Sequence, residues 1–244
     1  MPATPMPGMT LSDAVAITRE GSMFAGLTQG ARAALFEAGT TRTLKRGQTL
    51  FREGDDGETM IVVLSGVLRV SVTSRTGKDI VLAYVAAGDA IGELSVFDRQ
   101  PRSATAAAVE TADLLSLTRR DLKAACAADP EIAWTFLEHL AHRLRRTNAL
   151  IESGRGSMMG PRLARGLLTL IDEHGDANGS ADGEGEEIGF KISQGDLGAY
   201  VALSRENVNR QLKEWEADGV ITLAGGRIRV LDRDALEQTA DFED

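Results

Sequence analysis

The chain has 244 residues, of which 43% are hydrophobic and 26% charged, with a formal net charge of −9. This is the composition of a globular protein with room for two domains. A single cysteine, Cys126, excludes an intrachain disulfide framework or thiolate cluster, and no apolar run reaches the roughly 20 residues of a membrane helix, so no membrane partner is expected.

Residues 1–22, opening on MPATPMPGM, lack a basic segment leading into an apolar core. They read as an N-terminal arm rather than a signal peptide, which implies a cytoplasmic protein. Residues 23–128 read as one β-rich domain. From about Thr43 to Leu117 the pattern is β: IVVLSGVLRVSVTS is apolar and β-branched, TGKD marks a hairpin, and glycines recur at turn spacing, as in a β-barrel or jelly roll. Within it, GELSVFDRQPRSATA sets Glu93, Arg102 and Ser103 around a short apolar loop and small residues. One reading is a surface ion pair on a turn. The sharper one is a pocket for a molecule carrying both an anion and a hydroxyl, because a partly buried arginine needs a counter-charge and a carboxylate beside it needs a donor.

The pattern turns helical at Asp129-Pro130, since proline suits a first helical turn. Over residues 129–153, Ala133, Leu137, Leu140, Leu144, Thr147 and Ile151 recur at alternating steps of four and three. Such a seam predicts either a helix packed on its own domain or a symmetric homodimer, and its regularity favours the dimer. His139 and His142 lie on this helix and His174 beyond it. They read as packing or solvated side chains, with no metal site. The negative total charge argues against nucleic acid, but Arg143, Arg145, Arg146, Arg155, Arg162 and Arg165 face only Glu152 along that stretch.

A Gly- and Ser-rich break, SGRGSMMGP, precedes a helix over RLARGLLTLIDEHG; the acidic run DANGSADGEGEE, residues 176–187, reads as a linker, followed by a short strand, IGFKI. Residues 158–236 then form the second domain. Ser193 and Asp196 begin a capped helix that ends at Ser204, where a second helix opens. On that helix Val208, Leu212 and Trp215 make a core stripe, while Arg205, Glu206, Asn209, Arg210 and Lys213 are on the polar side. Polar groups early on the second helix suit a recognition helix that enters the major groove with its N-terminus first. The Gly-Gly hairpin of ITLAGGRIRVLD completes a wing. An ordinary helical hairpin with a solvated charged face is the competing reading. Residues 237–244 read as an acidic tail.

Together these motifs resemble the cyclic-AMP receptor protein and FNR superfamily of bacterial transcription regulators, from about Phe24 to Leu231. The resemblance implies an α+β architecture: a cyclic-nucleotide-binding jelly-roll barrel, a long dimerisation helix and a winged helix-turn-helix. It assigns Arg102, Ser103 and the Ala104 amide to a cyclic phosphate and Glu93 to the ribose 2′-hydroxyl. Gly92 and Leu94 supply close backbone approach, Val70 and Leu82 line base and sugar, and Thr147 and Asn148 face the purine. Arg205, Glu206 and Arg210 would read bases in a TGTGA-like inverted repeat, with DNA phosphates met by Arg162, Ser193, Gln194, Ser204, Asn209 and Lys213. Cyclic AMP is the implied ligand, with cyclic GMP left open by Asn148 and Ala83. Double-stranded DNA, a second copy of the chain and RNA polymerase are the implied partners. An iron–sulfur cluster or haem is not expected, because Cys126 is alone and no histidine precedes residue 139. A regulator of this fold that binds DNA without a nucleotide is the nearer rival. An enzyme controlled by the barrel is the remoter one, since no nucleophile–base pair, metal set or phosphate loop stands in the chain.

Overall fold

The computed structural model describes residues 24, 26–153, 159–175 and 185–241, with side chains of 142, 143 and 146–153 outside the description. The predicted arm at 1–22 therefore lies outside the described residues. Residues 78–81 apart, the chain divides into two compact units at Arg145/Arg146.

In the first unit, strands β1 (Thr40–Leu44), β3 (Thr59–Ser65), β6 (Ala90–Ile91) and β8 (Ala112–Thr118) form one antiparallel sheet in the order β1-β8-β3-β6. A second four-stranded sheet, β2-β7-β4-β5, is built from Thr49–Phe51, Thr105–Ala108, Leu68–Thr73 and Asp79–Val85. The domain is thus a two-sheet jelly roll rather than a closed barrel. Strand β3 explains why its sequence is apolar throughout. Ile61 and Val63 point between the sheets with Leu68, Val70 and Ala106. Met60 and Val62 point the other way, into a helix-covered core with Leu35, Leu122 and Phe136. A strand buried on both faces loses polar alternation.

Among the described residues of this unit, the helices α1 (Gln29–Ala38), α2 (Glu93–Asp98) and α3 (Arg119–Ala128) flank the sheets. None was predicted. Helix α3 is legible in hindsight from its capping box, in which Thr118 Oγ1 accepts from the Asp121 amide and Asp121 accepts from the Thr118 amide at 2.9 Å. The long helix α4 (Glu131–Ser153) follows. It buries Ile132 and Phe136 against the domain, whereas Leu137 and Leu144 of the predicted seam are 56% and 62% exposed. Ala133 and Leu140 are half-buried, so the outward stripe is Trp134, Leu137 and Leu144. Ile151 lies outside the described side chains.

The second unit holds α5 (Met159–His174), α6 (Gln194–Val201), α7 (Arg205–Ala217), α8 (Arg233–Ala240) and a sheet β10-β11-β9 (Ile221–Ala224, Arg227–Val230, Glu186–Glu187). Three expectations need correction. Helix α5 begins at Met159, inside the predicted break, because Pro161 in the first turn gives up no helical donor. IGFKI is not a strand. Ile188, Phe190 and Ile192 are buried alternately, but the ladder lies at Glu186–Glu187 and only Ile188 bridges, to Gly175. Alternation reports burial, not hydrogen bonding. Finally, residues 237–240 belong to α8, anchored by buried Leu236 and Ala240, and not to a tail.

The end of the predicted acidic linker is likewise structured. Glu187 pairs with Arg227 and Arg229 at 3.1 and 3.2 Å, and Arg233 gathers Asp172, Glu186 and Glu237 at 2.7 Å each. These contacts hold the three carboxylates around Arg233, on α5, β9 and α8, and keep its guanidinium protonated more firmly than usual. Among the described residues, no helix is long and apolar enough to cross a membrane.

Candidate functional site

The first candidate site is built on α2, which lies against β3. Its N-cap, Gly92, has φ +78°, in the left-handed region that favours glycine. This bend turns the chain from β6 into α2 and puts Glu93 at the first helical position, 2% exposed. Arg102 returns on the loop after α2 and is 6% exposed. Its main chain is tied to the 54–55 turn: its amide donates to Asp55 O and its carbonyl accepts from the Gly54 amide, both at 2.8 Å. Its guanidinium donates from Nη1 to Gly92 O at 2.9 Å and from Nη2 to Thr59 O at 2.8 Å and Thr59 Oγ1 at 3.3 Å. The ring of Phe51 lies 4.2 Å beneath it. Nε has no hydrogen-bond partner.

Burial pulls the Arg102 pKa below the usual range, and the nearby Glu93 and Asp55 charges oppose that shift. A guanidinium stays protonated at any physiological pH. The site therefore contains a fixed, poorly hydrated positive charge whose donors meet neutral carbonyl oxygens, an arrangement that favours an incoming anion.

The structure brings Gly92, Glu93 and Arg102 together. Val70 and Ala104 are buried in the core between the sheets, at 5% and 6% exposure. Ser103 is exposed, as are Leu82 and Leu94. Thr147 and Asn148 lie outside the described side chains. Sequence reasoning missed Phe51, Thr59 and Gly57. A Cβ on Gly57 would come within 2.7 Å of Arg102 Nε. Those three residues stand some 40 to 50 positions before Arg102, so no local motif links them to it.

The second candidate site is the helix pair α6–α7. Ser193 caps α6, its hydroxyl accepting from the Asp196 amide at 3.0 Å, and Ser204 caps α7 by accepting from the Asn207 amide at 3.2 Å. Between them the chain turns within three residues through Ala202 at φ +55°. Gly198 is required there: a Cβ would lie 2.7 Å from the Leu203 carbonyl oxygen. Val208, Leu212 and Trp215 are buried as predicted. Arg205, Glu206, Arg210 and Lys213 are exposed, the first two at the helix N-terminus. Arg210 donates to Asn207 Oδ1 at 3.3 Å, and Gln194 donates to Asn209 Oδ1 at 3.2 Å, a bond that joins the two helices. Arg162 is half-buried on α5. The Glu206 carboxyl is held below the usual glutamate range by its backbone amide and then by the Ser204 hydroxyl. The β10–β11 hairpin turns on Gly225 and Gly226, at φ +59° and +84°. Two consecutive positive φ values are what a tight primed turn demands.

Comparison with known proteins agrees with both halves. A cyclic nucleotide-binding domain family matches residues 41–129 and a Crp-like helix-turn-helix domain family matches residues 161–239. A CRP-like cAMP-activated global transcriptional regulator of Mycobacterium tuberculosis is 30% identical over 92% of this chain and 98% of its own. The cyclic AMP receptor protein of Thermus thermophilus is 32% identical over 82% of this chain and 87% of its own. Among solved structures, a CRP-family transcriptional regulator from Thermus thermophilus superposes with a TM-score of 0.68 at 26% identity, covering 82% of this chain and 96% of that one. FixK2 from Bradyrhizobium japonicum, at 20% identity, shares the fold with a TM-score of 0.73 over 84% of this chain and 99% of its own.

Proposed function

The chain belongs to the CRP family of DNA-binding transcription regulators, and from that membership we propose that it is a homodimer switched by a cyclic nucleotide, with cyclic AMP as the ligand. The observation that carries this reading is the buried guanidinium of Arg102, held between Gly92 and Thr59 carbonyls beside buried Glu93. A cyclic nucleotide offers one phosphate charge and one 2′-hydroxyl. Arg102, helped by Ser103 and the Ala104 amide, takes the phosphate; Glu93 accepts from the hydroxyl. Gly92 and Leu94 line the ribose, Val70 and Leu82 the base, and Thr147 and Asn148 the purine edge.

A phosphate oxygen is a stronger acceptor than a carbonyl. The ligand therefore draws Arg102 donors away from Gly92 and Thr59 and shifts α2. Phe97 of α2 lies against Phe136 of α4, ring centroids 6.3 Å apart, so that shift is passed to the long helix. Two copies pair along Trp134, Leu137 and Leu144. Their recognition helices then sit one DNA turn apart, about 34 Å, on a TGTGA-like inverted repeat. There Arg205 and Arg210 meet guanines and Glu206 meets the cytosine side, while Arg162, Ser193, Gln194, Ser204, Asn209 and Lys213 serve the phosphates. RNA polymerase is the partner at the promoter.

Calorimetric titration with cyclic AMP and cyclic GMP, with and without the inverted repeat, tests the reading. Cyclic AMP should bind one per chain and tighten DNA binding. Heat from neither nucleotide would overturn it.

A further inference from the structure

We propose that the sensor domain carries a second anion site, on the outer side of α2, for a small soluble molecule bearing phosphate groups. A groove of about 760 Å³ opens there, lined by Arg99, Arg119, Arg120 and Lys123 against Asp56 and Glu58. None of the residues assigned above to the cyclic nucleotide lines it. Four cations against two carboxylates is a local excess of positive charge in a chain whose net charge is −9. Its size falls within the range of small-molecule pockets.

The cations are available. Among the described residues, the side chains of Arg99, Arg120 and Lys123 are exposed and form no ion pair. Arg119 is fixed in place, donating from Nη2 to Phe97 O at 2.6 Å. Guanidinium forks and an ammonium converging on one groove match the several oxygens of a phosphate compound.

Backbone geometry makes a second, independent argument. Arg99 is the C-cap of α2 at φ +62°, one of two non-glycine residues with positive φ among the described residues. Glycine is the favoured residue at such a cap, and any other side chain is strained there. Strain retained at a groove-lining position is expected where the side chain has a use.

The groove also touches the machinery of the first site. A Cβ on Gly57 would lie 2.7 Å from both Ser95 Cβ and Arg102 Nε, and Gly57 and Ser95 both line the groove. An anion there acts on α2 from the end opposite Glu93 and through the wall behind Arg102. This coupling rests on the cyclic-nucleotide reading; the anion site does not.

The test is calorimetric titration of the full chain with pyrophosphate at low ionic strength. The expected result is one binding event per chain that persists when cyclic AMP is saturating and persists in the Arg205→Ala, Arg210→Ala double variant. Arg120→Glu with Lys123→Glu should weaken it at least tenfold. Arg99→Gly should weaken it several-fold while the melting temperature holds or rises, which a merely structural role for Arg99 would not produce. Absence of binding, as expected if the groove serves an acidic protein segment instead, would overturn the proposal. So would equal binding by the Arg120, Lys123 double variant, or full displacement of pyrophosphate by cyclic AMP. If the chain fails to bind cyclic AMP at all, the pyrophosphate arms read unchanged, so the two failures are distinct.

Discussion

Arg102 has a structural role beside its proposed role in binding, and a single substitution removes both. Its guanidinium holds the carbonyls of Gly92 and Thr59 and stacks on Phe51. Removing it deletes the anion's counter-charge and leaves two part-buried carbonyl groups without their donors. Hydrogen bonds to charged groups contribute about 1.5–3 kcal/mol. Arg102→Leu should therefore abolish cyclic-nucleotide binding by calorimetry and lower unfolding stability by about 2 kcal/mol in urea. Unchanged affinity would sink the assignment of Arg102 to the phosphate. At the other site, Glu206 has a depressed carboxyl pKa. A lowered folded value means that the ionised form is fully present above the ordinary glutamate range and is lost only as the pH falls through that lowered value. Preference for the G·C pair facing Glu206 should thus persist down through the usual glutamate range in DNA competition assays at stepped pH, and vanish at every pH in Glu206→Gln.

Helix α4 has one face packed on its own domain and another turned outward. Ile132 and Phe136 close the sensor core, so charge placed there would unfold the domain. Leu137 and Leu144 are mostly exposed. The Leu137→Glu, Leu144→Glu double variant should keep its circular dichroism and melting behaviour, run as a monomer in light scattering and lose tight DNA binding; a surviving dimer would put the interface elsewhere. On α7 the two ends are distinguishable. Arg205→Ala should cost about 1–3 kcal/mol on the cognate site and relax one G·C position only. Lys213→Ala, two turns later, should weaken all sequences alike and reduce the salt slope by about one unit. A selection from randomised DNA with both variants decides it; reversed effects would rule out docking by the helix N-terminus.

In the whole molecule, a ligand-controlled regulator must couple two sites, and coupling is reciprocal. Cyclic AMP should raise affinity for the inverted repeat by about 5- to 150-fold, and the same DNA should raise cyclic AMP affinity by the same factor; fluorescence anisotropy in one direction and calorimetry in the other check the equality. How much of this could be read from the chain alone follows from the range of the interactions. The helices α6 and α7, the cap at Ser193, the Gly-Gly wing and the nearness of Glu93 to Arg102 were legible because each depends on residues within one or two turns or one contiguous loop. The chain alone also determined the two-domain order and the existence of a long apolar-striped helix. It could not show that Phe51 and Thr59 complete the Arg102 site, that the outward stripe of α4 runs through Trp134 while Ile132 and Phe136 face inward, or that Glu186 and Glu187 are a neutralised edge strand. A periodic pattern says that a residue has a buried side; which neighbour buries it, or which distant arginine neutralises it, is decided only when the sheets and helices pack.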